Sequence, residues 1–109
     1  MRRRAVAFAA AAALYAASSV QADDAALGRQ KAQTLCAVCH GPLGLSNTPD
    51  APNLAGQPTL YLATQLRAYR SGARRHEVMA VIAKGLSDDE IAQLAAWFGS
   101  LKVEVKPVP

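Results

Sequence analysis

Apolar and small residues recur at three- and four-residue steps along the chain. Ala25, Gly28, Ala32, Leu35 and Cys36 predict a first helix with a small-residue face. Gly28 within it costs helix stability relative to alanine, so the position predicts close approach of another helix. Residues 41–57 interrupt the pattern with three prolines and three glycines and predict an extended loop. Pro58 suits the first position of a second helix, in which Leu62, Leu66 and Tyr69 share a face until Gly72. Val78-Met79-Ala80-Val81-Ile82 is a short apolar run of undetermined type. Ser87-Asp88-Asp89-Glu90 reads as a capping box. It opens a last helix with Ile91, Leu94, Ala95, Phe98 and Leu101 on one stripe. Val103 to Pro109 has two prolines and no stripe. Nothing alternates with the period of a strand, so the expected class is all-α.

Composition narrows this further. The chain has 109 residues, 51% of them hydrophobic, which allows one small domain and excludes a multi-domain enzyme with its own nucleotide fold. A formal charge of +4 would suggest an acidic partner such as nucleic acid. The N-terminus removes that suggestion. Arg2, Arg3 and Arg4 precede an uncharged run from Ala5 to Ala17, and small residues at Val20 and Ala22 come just before Asp23 and Asp24. A basic start, a short apolar run and a small-x-small site mark a cleaved secretory signal, with the cut expected after Ala22. The apolar run falls short of the ~20 residues that cross a bilayer. Removing 22 of 109 residues leaves 87, and losing three of twelve basic residues against none of eight acidic ones leaves a formal +1. The expected organisation is a signal at 1–22, one domain at 23–101 and a loose tail at 102–109, in a protein exported to the periplasm. No nucleic-acid binding and no stable membrane insertion of the mature chain are expected. So short a chain needs a disulfide, a metal or a cofactor to complete its core.

The chemistry concentrates in Cys36-Ala37-Val38-Cys39-His40. C-x-x-C-H is the attachment pattern of c-type haem. Two thiols three positions apart on a helical turn reach two vinyl groups on one macrocycle edge, and the next residue offers its imidazole as proximal ligand. A thioredoxin-like dithiol belongs beside a βαβ pattern, which is missing. A zinc site needs four ligands, and outside this run His76 is the only remaining Cys or His. One motif without repeats implies one covalently attached haem. For the opposite axial position the candidates are Met79, the only methionine after the signal, and His76, three residues before it. Met79 in an apolar run also suits core packing, and His76 beside Arg74, Arg75 and Glu77 suits a solvated surface. The carbonyl of Pro52 is a candidate acceptor for the second ring nitrogen of His40, a contact that fixes a ligating imidazole. A plain loop stiffener is the other reading of Pro52.

With these residues placed, the chain resembles the class I cytochromes c, in particular the small bacterial monohaem members, and is similar to one domain of the dihaem kind. The resemblance covers residues 24–101. It rests on Cys36-Ala37-Val38-Cys39-His40-Gly41, Pro52-Asn53-Leu54-Ala55-Gly56-Gln57, Tyr61-Leu62 with Gln65-Leu66, and Arg70-Ser71-Gly72-Ala73-Arg74. Met79 and Leu86-Ser87-Asp88-Asp89-Glu90-Ile91 complete it. It implies three to five helices around one haem, thioether bonds from Cys36 and Cys39, axial ligation by His40 and Met79, and the Pro52 carbonyl behind His40. It also implies that the first and last helices cross near Gly28 against Trp97-Phe98. Two departures stand out: Ala32 replaces an aromatic residue common in relatives, and no proline precedes Met79. The implied function is a non-enzymatic one-electron carrier between a redox donor and an acceptor protein, as a monomer or as a subunit of a complex. The alternatives are a haem subunit of a periplasmic dehydrogenase or oxidase, and a haem sensor or peroxidase with an open distal position. Arg67, Arg70 and Arg74, at i, i+3 and i+7, suit haem propionates, an acidic docking partner or a solvated face.

Overall fold

A computed structural model describes residues 22–109. The expected signal at 1–22 therefore lies outside the described residues, apart from its last position. The described residues form five helices and no strand. Helix α1 is helical from 22 to 35, α2 is Ala37–His40, α3 Thr59–Ser71, α4 Glu77–Lys84 and α5 Asp88–Ser100.

α1 and α2 form an almost continuous ladder with a turn at Cys36. The Cys36 amide donates to the Ala32 carbonyl at 2.9 Å, and the His40 amide to the Cys36 carbonyl at 2.9 Å. Gly41 then ends the helix at φ 80, a left-handed value that a side chain resists. α3 begins one residue later than its proline suggested. Pro58 has φ −56 and ψ 132, so it is the cap outside the helix, and its carbonyl accepts from the Leu62 amide at 3.0 Å. The capping box of α5 is present in both directions. The Glu90 amide donates to Ser87 Oγ at 3.1 Å, and the Ser87 amide to the Glu90 carboxylate at 3.1 Å. Leu101 stands just past the end of α5 as its cap.

The core joins α1, α3 and α5 through Ala32, Leu62, Ala63, Leu86, Ile91, Leu94, Ala95 and Phe98. α3 packs against both α4 and α5. Where α1 meets α5, a Cβ on Gly28 would fall on the backbone carbonyl of Gln93, so only glycine permits this approach. Ala32 is buried in the core, and Trp97 packs beside it with the Arg29 guanidinium 5.5 Å from the ring centroid. Lys31 pairs with Glu90 across the same crossing.

The long loop is ordered by its own polar groups. The Gly44 carbonyl accepts from the Leu54 and Ala55 amides at 2.8 and 3.0 Å, and Asn53 Oδ1 accepts from the Ser46 amide at 2.7 Å. The Gly56 amide donates to the Phe98 carbonyl at 2.9 Å, fastening the loop to α5. Residues 102–109 carry no regular structure and are exposed. No helix among the described residues is long and apolar enough to cross a membrane.

Candidate functional site

Folding brings the cysteine motif, the long loop and α4 around one cavity of about 380 Å³. That is within the ~300–1,000 Å³ of small-molecule and cofactor sites. Cys36, Cys39, His40 and Met79 all line it, with apolar walls from Leu35, Leu54, Leu62, Leu66, Ile82 and Phe98. Exposed Val38 and Val78 also line it.

His40 is the one buried polar side chain among the described residues, 7% exposed. Its Nδ1 lies 2.8 Å from the Pro52 carbonyl. A carbonyl can only accept, so Nδ1 carries a proton and Nε2 is the ring nitrogen left for a ligand. The loop that holds Pro52 is itself held by the Gly44 and Asn53 hydrogen bonds, so the orientation of the ring is inherited from the fold. Cys36 is half-buried against the core and Cys39 is exposed. Burial pushes the Cys36 thiol up to about 11, with Lys31 opposing weakly. Both cysteines are free, and no group of three or more His, Cys, Asp or Glu that could hold a metal ion occurs among the described residues.

Met79 sits in the first turn of α4, so the apolar run at 78–82 is helical. His76 does not line the cavity. It is the N-cap of α4, and its Nδ1 accepts from the Met79 amide at 3.2 Å. The signal was present in the sequence: Glu77 follows in the first turn and Lys84 stands in the last, charges that suit a helix dipole. The arginines do not share one face. Gly72, at φ 86, ends α3 and turns the chain before Arg74. Arg74 lines the cavity and donates to Gln65 at 2.8 Å, with its guanidinium 4.7 Å from the Tyr69 ring centroid. Arg70 bonds the Leu86 carbonyl at 3.2 Å and Asp88 at 2.6 Å. Arg67 is exposed on α3.

A helical fold closed around this apolar cavity, with paired thiols and an oriented imidazole, defines a covalent haem protein of the class I cytochrome c fold. The cytochrome c family matches residues 25–102, and the chain belongs to it. It is 44% identical over 82 residues to cytochrome c-554(548) of Halomonas halodenitrificans, matching 72% of this chain and 98% of that protein. It is 44% identical over 75 residues to the thiosulfate dehydrogenase electron acceptor of Thiomonas intermedia, matching 68% of this chain and 35% of that one. The solved structure of reduced cytochrome c4 from Pseudomonas stutzeri superposes with a TM-score of 0.62 at 29% identity, over 71% of this chain and 49% of that chain. The chain thus spans nearly all of the first relative and half or less of the other two. The protein is an electron-transfer haem protein carrying covalently bound haem c. The site fits that group: two free thiols and an imidazole whose Nδ1 is held by the Pro52 carbonyl border one cavity with apolar walls.

Proposed function

We propose that this chain is a periplasmic one-electron carrier in which Cys36 and Cys39 hold the haem edge and His40 and Met79 are the two axial ligands. The observation that carries this is the convergence of these four side chains on one apolar cavity. Haem c supplies the ferric–ferrous couple when bound. The residues do the rest. The Pro52 carbonyl holds the His40 ring and raises its donor strength. Leu62, Leu66, Ile82 and Phe98 exclude water from the cavity. With His40 and Met79 both holding the haem, no position would remain for a small substrate, so the protein would contribute positioning and tuning rather than bond chemistry. Export by a signal at 1–22 places it where haem c is attached. Redox proteins are its donor and acceptor. The relative named as an electron acceptor of a dehydrogenase supports this reading, and equally supports service within a dehydrogenase complex.

The test is optical. Ferric wild-type protein is expected to show the weak far-red charge-transfer band of thioether ligation, and ferrous protein is expected to resist CO. Met79→Ala should lose the band, become high-spin and bind CO. A high-spin spectrum in His76→Ala together with an unchanged one in Met79→Ala would reverse the ligand assignment. Wild-type protein that binds CO readily would end the carrier reading and favour a sensor or peroxidase.

A further inference from the structure

The helix that carries Met79 is short. α4 is eight residues long; Val78, Met79 and Ile82 line the cavity, and Ala83 is the residue it buries within the protein itself. Helices shorter than ~12–15 residues are marginal without outside support. The support comes at both ends. At the N-terminus, His76 Nδ1 accepts the amide of Met79 itself at 3.2 Å. The imidazole is held edge-on to Tyr69, ring centroids 6.4 Å apart, and Tyr69 is covered by the Arg74 guanidinium, which is tied to Gln65. The cap is therefore indexed to α3. At the other end, Arg70 reaches from α3 to the Leu86 carbonyl and Asp88, just past the C-terminus of α4.

We infer that His76 and Arg70 are positioning residues for the distal ligand, pinning the two ends of α4 so that Met79 stays on the cavity. This rests on the proposed role of Met79. Movement of α4 would carry the thioether off the cavity, a local opening that need not involve the rest of the fold. An external ligand that binds only the opened form has an apparent affinity proportional to the opened fraction. Loss of an N-cap or of a charge-assisted hydrogen bond raises that fraction about five- to tenfold.

The experiment is a titration of ferric holoprotein with imidazole, followed by loss of the far-red band. His76→Ala and Arg70→Leu are each expected to bind imidazole about five- to tenfold more tightly. His76→Asn, which restores a good N-cap acceptor, should return to the wild-type affinity. Lys31→Ala, which weakens the α1–α5 crossing remote from α4, should stay at the wild-type value. The inference is overturned if His76→Ala and Arg70→Leu bind imidazole as the wild type does. It is equally overturned if asparagine fails to rescue, or if Lys31→Ala tightens binding as much. A wild-type protein with no far-red band would instead remove the Met79 assignment itself.

Discussion

Replacing Gly28 by alanine sets two effects of opposite sign against each other. Helix propensity favours alanine by about 0.8–1.0 kcal/mol. Packing opposes it: the added Cβ would lie 2.5 Å from the Gln93 carbonyl carbon and 3.0 Å from Trp97 Cβ, with the carbonyl oxygen nearer still. Gln93 is backbone within α5 and cannot swing aside as a side-chain tip would. The helices must separate by roughly 1 Å, and a gap of that size forfeits a quarter to a half of each dispersion contact at the crossing. Overpacking of this kind costs about 1–3 kcal/mol, and a backbone obstacle belongs at the upper end. The net expectation is a loss of about 1–2 kcal/mol, or a fall in Tm of about 4–16 °C for a domain of this size. Thermal and urea melts of the haem-loaded protein, followed by helix ellipticity, measure it. An unchanged or higher Tm would show that the crossing has slack, and would refute the reading of Gly28 as a position reserved for contact.

Two further outcomes are expected. Lys31, then the Ser87 amide, hold the Glu90 carboxyl down from 4.5 to about 2. A depressed carboxylate stabilises the fold above its ordinary pKa and loses that contribution as pH falls through the folded value. The stability deficit of Lys31→Ala relative to wild type should therefore be complete above about pH 5, shrink toward pH 2, and diminish with added salt. Urea midpoints of both proteins across that range check it, and a deficit independent of pH would contradict it. Leu94→Ala removes a core side chain only 2% exposed that also lines the haem cavity, and should cost about 2–5 kcal/mol in a denaturant melt.

The fold was legible wherever local chemistry and tertiary contact agree. Ser87 and Glu90 cap α5 within four residues, so their pattern needs no distant partner to be read. Gly28 announced a close approach because glycine inside a helix has no local justification. The cysteine motif declared itself through spacing, since its geometry is confined to one turn. The resemblance supplied the pairing of His40 with Pro52, which no spacing could give across twelve positions. α4 was missed because its cap is a histidine, a residue outside the usual Ser, Thr, Asp and Asn set, and because eight residues show little more than two turns. The arginine face failed for a different reason. A spacing of three and seven assumes that the helix continues, and the left-handed Gly72 ends it before Arg74. The partner of Arg70 lies sixteen and eighteen residues away, where periodicity carries no information.

The junction between α1 and α2 bears on the order of events in making the protein. Cys36 stands at the turn between α1 and α2, whereas much of the cavity wall it shares, from α3 to α5, is synthesised later. Once those walls close, one of the two thiols needed for attachment is half-buried and shares the cavity lining with Leu35, Leu54 and Leu66. Attachment at Cys36 is therefore expected to be easier before these walls close than after. A chain that folds too early would obstruct its own completion, and α4, a short helix held at its two ends, is the part of the structure best suited to close last.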